Sequence, residues 1–71
     1  MTIFSKNLQN VLKSKQVTKR ALAEMLSLPE QNVGRWTTGK VIPRIDTLLR
    51  ICECLEVTPN ELLGYDKEKN L

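Results

Sequence analysis

Between Thr18 and Gly39 the sequence TKRALAEMLSLPEQNVGRWTTG confines two helices to a span that leaves almost no room for the turn between them. Ala21, Leu22, Met25 and Leu26 recur at helical spacing, which gives the segment Lys19 to Leu26 one apolar face. Thr18 precedes it as a candidate N-cap, its hydroxyl placed to accept from a backbone N–H two or three residues on. The second helix starts at Pro29 or Glu30 and runs to about Thr38, with Val33 and Trp36 inward and Gly39 as its C-terminal stop. Ser27, Leu28 and Pro29 are all that remain for the turn. Two short helices joined this way cross at a steep angle, and the rest of the chain has to cover their apolar faces.

The flanking segments have the periodicity to do so. Phe4, Leu8, Val11 and Leu12 define an amphipathic first helix over residues 3–14. After Gly39, the Lys40-Val41-Ile42-Pro43 stretch is extended, because a residue before proline is pushed out of the α region. A fourth helix follows from Arg44 or Ile45 to Leu55. Its stripe is Ile45, Leu48, Leu49, Cys52 and Leu55, with Ile51 on the edge and Cys54 well away from the centre. Thr58-Pro59-Asn60-Glu61 has the cap, first-position proline and acidic third residue of a capping box, and opens a short fifth helix that Gly64 ends. The expected fold is all-α: five helices in one domain over residues 1–64, then a polar tail over residues 65–71 that is expected to fray.

Composition removes whole classes of function. The chain has no histidine, so the commonest general base and metal ligand are missing. Its glycines, Gly34, Gly39 and Gly64, are scattered and form no phosphate-binding loop. Glu53 and Glu56 fall on an exposed helix face, where a carboxylate pair is solvated surface. Cys52 and Cys54 are two residues apart on one helix, which points them away from each other and argues against a disulfide. They lack the further ligands that a zinc site requires. Cys52 is read as core; Cys54 is read as a half-buried small residue, with a redox-sensitive or interface thiol as the alternative. No enzymatic activity, cofactor or metal is expected. No apolar run approaches a membrane span and no export signal opens the chain, so the cytoplasm is the expected compartment.

Charge is more informative than its total of +3 suggests. Residues 1–44 carry eight basic against two acidic side chains, a net +6, whereas residues 45–71 carry three against six, a net −3. A basic half joined to an acidic half suggests one face for a polyanion and another for a different partner.

The ordered set of segments resembles the lambda-repressor-like (Xre-type) helix-turn-helix domains of phage repressors and small bacterial regulators. The matching residues are Leu22-Ala23, Val33, Arg35-Trp36, Gly39-Lys40 and Pro43, then Leu48 to Val57 and Thr58 to Leu63. The resemblance covers the chain from about Phe4 to Gly64. It implies a compact five-helix domain whose second motif helix enters the DNA major groove. It puts base reading on Glu30, Gln31, Asn32 and Arg35. Arg35 can pair with guanine O6 and N7, Gln31 or Asn32 with adenine N6 and N7, and Glu30 can accept from cytosine N4. It puts phosphate contacts on Lys19, Thr38, Lys40 and Arg44, with Arg20 and Lys13 as looser candidates. It places Trp36 in the core. A dimer surface near the junction of the fourth and fifth helices would include Ile45, Val57, Pro59 and Glu61.

The function so implied is a sequence-specific regulator of transcription, a repressor, bound as a homodimer to a palindromic double-stranded operator. A contrasting reading is an antitoxin or anti-repressor that binds a protein partner through its acidic half. The chain also departs from the family pattern. Pro29 replaces the usual serine or threonine cap, which implies a helix beginning with the proline itself. Gly34 interrupts the recognition helix, and Thr37 stands where the family often has glutamate.

Overall fold

The computed structural model describes residues 2–65, so the expectation for the tail beyond Tyr65 lies outside the described residues. Five helices follow in order: α1 (Ile3–Ser14), α2 (Lys19–Leu26), α3 (Glu30–Thr38), α4 (Ile45–Leu55) and α5 (Pro59–Leu63). Local chemistry sets most of their ends. Thr18 caps α2 by accepting from the Ala21 amide at 3.0 Å, and Thr58 caps α5 by accepting from the Glu61 amide at 3.2 Å. The reciprocal capping box forms elsewhere, on α1. There the Ser5 amide donates to Thr2 Oγ1 at 3.0 Å and the Thr2 amide donates to Ser5 Oγ at 2.9 Å.

The C-terminal ends of α2 to α5 close in the left-handed region. Gly39 and Gly64 take it with φ of 82° and 75°, and Ser27 and Glu56 take it as non-glycine residues, both with φ of 57°. At Gly64 glycine is favoured twice over, by the positive φ and because a Cβ would stand 2.5 Å from Ile3 Cγ2. That close approach, with Asn7 Nδ2 donating to the Leu62 carbonyl at 3.2 Å, docks α5 on α1.

The core is Phe4, Leu8 and Leu12 of α1, Leu22, Ala23 and Leu26 of α2, Val33 and Trp36 of α3, Leu48, Ile51, Cys52 and Leu55 of α4, and Leu62 of α5. α3 packs on α2 and α1, α4 packs on α2, and α5 packs on α1 and α4. Among the described residues, the buried polar side chains Ser5 and Thr37 are satisfied by nearby backbone. Ser5 Oγ donates to the Thr2 carbonyl at 2.8 Å and Thr37 Oγ1 to the Gly34 carbonyl at 3.0 Å.

Two helices are rotated from the expected faces. In α4, Ile51 is fully buried whereas Ile45 and Leu49 are 76% and 45% exposed, so the stripe is Leu48, Ile51, Cys52 and Leu55. In α2, Ala23 is buried and Met25 is exposed. Both helices have apolar residues around too much of their circumference for spacing alone to choose the inward arc. Packing against the neighbouring helices makes that choice. Of the two starts expected for α3, Glu30 is the one observed: Pro29 is extended (φ −62°, ψ 144°) and is the N-cap, not the first helical residue.

Candidate nucleic-acid interface

α3 divides cleanly into two faces. Val33, Trp36 and Thr37 are buried and anchor it to α1 and α2. Gln31, Arg35 and Thr38, spaced four and three apart, stand opposite them and are exposed, as is Glu30 in the first turn. Asn32 is half-buried on the flank. Of the expected base-reading residues, therefore, Glu30, Gln31 and Arg35 lie open to solvent, and Asn32 stands closer to the protein body. Trp36 is in the core, as expected.

An open cleft of about 390 Å³ runs beside this face, lined by Gln9, Leu12, Val17, Thr18, Lys19, Thr37 and Thr38. It brings the first residue of α2 up to the last turn of α3, so Lys19 and Thr38, expected to contact phosphate, share one concavity. Lys19 carries its charge at the positive end of the α2 dipole, a combination suited to an anion. Lys40 and Arg44 are exposed but outside that cleft. Lys40 follows the α3 cap, its amide donating to the Arg35 carbonyl at 3.0 Å, and Arg44 is the extended N-cap of α4. Arg20 pairs with Glu24 one turn on, at 3.4 Å, with both side chains largely solvent-exposed.

Two side chains that sequence reasoning passed over hold this arrangement in place. Gln9 of α1 donates from Nε2 to the Thr37 carbonyl and so fastens the C-terminal end of α3. Arg50 of α4 donates from Nη2 to the Leu26 carbonyl at 2.7 Å, at the last residue of α2 before the turn. A cation there satisfies an otherwise open carbonyl and complements the helix dipole. Nothing in the local pattern marks either residue, because their partners are 28 and 24 positions away in sequence.

Elsewhere the chemistry is quiet. Burial, and secondarily the negative charge of Glu61, pushes the Cys52 thiol up, which keeps it protonated and unreactive. Cys54 is half-buried against the core, and both cysteines are free thiols. Of the expected dimer residues, Ile45 is at one end of α4, whereas Val57, Pro59 and Glu61 lie beyond the other. Ile45 and Glu61 are exposed, and Val57 and Pro59 are half-buried. Among the described residues no helix is long and apolar enough to cross a membrane.

A small all-α domain that anchors one helix by its apolar face and leaves the opposite polar face open, beside a cleft that holds Lys19, has the design of a helix-turn-helix module. Residues 7–68 match the profile of the Cro/C1-type HTH DNA-binding domain. The chain belongs to that family.

Its relatives include the HTH-type transcriptional activator BcrR of Enterococcus faecalis, 33% identical over 64 residues. That match covers 90% of this chain but 31% of BcrR, so the chain spans about a third of the length of that relative. A transcriptional regulator from Listeria innocua has a similar structure, with a TM-score of 0.80 at 26% identity over 90% of this chain and 60% of that one. The SOS-response transcriptional repressor LexA from Eubacterium rectale superposes with a TM-score of 0.82 at 25% identity, over 97% of this chain and 72% of the other. The restriction-modification controller protein C.AhdI from Aeromonas hydrophila shares the fold, with a TM-score of 0.80 at 23% identity over 86% and 92% of the two chains.

Proposed function

We propose that the chain is a sequence-specific double-stranded DNA-binding regulator of transcription that lays α3 in the major groove. The observation that carries this reading is the split of α3 into a buried face of Val33, Trp36 and Thr37 and an open face of Gln31, Arg35 and Thr38. Arg35 is the residue best suited to a bidentate pair with guanine, and Gln31 to one with adenine; Glu30 accepts from cytosine and Asn32 supports from the flank. Lys19 and Thr38, in their shared cleft, take one phosphate, and Lys40 and Arg44 take others along the same strand. These contacts set register and supply most of the salt-dependent affinity.

One helix of this length covers only a few base pairs. The chain therefore acts as a homodimer on a palindromic operator whose half-sites lie about one helical turn apart, roughly 34–36 Å. Ile45, the half-buried Val57 and Pro59, and Glu61 are the proposed contact residues, with the exposed Leu49 one turn from Ile45 extending the apolar surface. Repression is the proposed outcome, since occupying an operator requires no surface beyond those already named.

Selection of bound duplexes from a random pool at physiological salt tests the reading. Enrichment of a palindrome with half-sites about ten base pairs apart is the expected result. A bound pool with no preferred sequence would contradict it.

A further inference from the structure

Gly34 occupies the middle of α3, in ordinary helical geometry, and the fold makes no use of its being glycine. Its φ is not positive, unlike those of Gly39 and Gly64. A Cβ built at Gly34 meets nothing within 4 Å, whereas one built at Gly64 would collide with Ile3. Glycine is the poorest helix former after proline, so its presence mid-helix weakens α3 without relieving any contact inside the protein. What it leaves is a notch at a half-buried position bordering the open face of the helix, one turn from Glu30 and Gln31 on one side and from Thr38 on the other, with Arg35 alongside. The floor of the notch is the bare Cα of Gly34, and its rim is polar. The Gly34 carbonyl accepts from the hydroxyls of Thr37 and Thr38, both at 3.0 Å, so its polar group is engaged within the helix.

We infer that Gly34 is a specificity-determining position that seats the C5-methyl group of a thymine in the major groove. The thymine methyl is the one apolar group that projects from base edges there, among features that are mainly donors and acceptors. A helix without a side chain at this point can bring its Cα to van der Waals distance of that methyl, about 3.5–4.0 Å, while Gln31 and Arg35 reach past it to neighbouring bases. Any larger residue holds the helix away. The inference rests on the DNA-reading role proposed for α3.

The test measures wild type and Gly34→Ala on the duplex enriched by selection, and on the same duplex with each thymine replaced in turn by deoxyuridine. Gly34→Ala is expected to raise Tm by about 4–8 °C while weakening specific binding by about fivefold or more. Wild type should lose about fourfold at one uridine position per half-site, the factor for removing one buried methyl group. The variant should be indifferent at that position. A merely structural role for Gly34 cannot produce a tighter fold with weaker, methyl-blind binding. Equal affinity of variant and wild type on the enriched duplex would overturn the role of Gly34 and leave the DNA-reading assignment standing. Weaker variant binding with no methyl-sensitive position would overturn the thymine seat. Failure of wild type to prefer any duplex would overturn the DNA-reading assignment and this inference with it.

Discussion

α1 and α3 pack against each other, yet they are stabilised in opposite ways. α1 carries its own support: a reciprocal Thr2–Ser5 box at its start, twelve residues of length, and no glycine or proline within it. α3 has nine residues, no side-chain cap at Pro29, a glycine at its centre and two threonines in its last turn. Helices this short are marginal in water on their own. α3 exists because Val33 and Trp36 are buried and because Gln9 holds the Thr37 carbonyl from α1. The difference shows where the chain invests. The helix that only supports is stabilised largely by its own local interactions. The helix proposed to read DNA is held from behind, and its outer face is left to residues chosen for a partner.

Substitutions can break that contrast. The largest effect is expected for Trp36→Ala, which removes the main anchor of α3; a loss of about 3–5 kcal/mol should appear in urea melts, a large share of the stability of a domain this small. Arg35→Ala comes next and is expected to act the other way round, with Tm unchanged and the preferred duplex bound about 1–3 kcal/mol more weakly with one base position relaxed. Thr2→Ala removes the α1 cap and should cost about 1 kcal/mol of stability while leaving DNA affinity of the folded protein intact. If it impaired binding as well, the division of labour between the two helices would be wrong. The smallest change is expected for Lys19→Ala: affinity for all duplexes falls alike, and the slope of log affinity against log salt shrinks by about one unit.

The sequence made the α1 to α5 order legible, because apolar residues at helical spacing are separated by recognisable stops at Gly39, Pro43 and Gly64. The inward residues of α3 were equally plain, since Val33 and Trp36 are its only large apolar side chains. The face of α4 was not. Ile45, Leu48, Leu49, Ile51, Cys52 and Leu55 span so much of the helix that only the positions of α2 and α5 decide for Ile51 and against Ile45 and Leu49. The capping box on α1 carried a weak signal, Thr2-x-x-Ser5, in place of the usual glutamate or glutamine. Gln9 to Thr37 and Arg50 to Leu26 could not be read at all, because a side chain bonding to a distant carbonyl has no local pattern. Left-handed Ser27 and Glu56 were likewise hidden, since neither is the glycine or asparagine that usually marks such a cap.

The most direct test of the central claim, that the open face of α3 is the reading surface, is to follow backbone amide chemical shifts by NMR as the enriched duplex is added. The largest changes are expected on Gln31, Gly34, Arg35 and Thr38, with Lys19 next and the amides of Glu53, Glu56 and Glu61 little moved. Changes concentrated on α4 and α5, with α3 silent, would contradict it and move the binding surface to the acidic half of the chain.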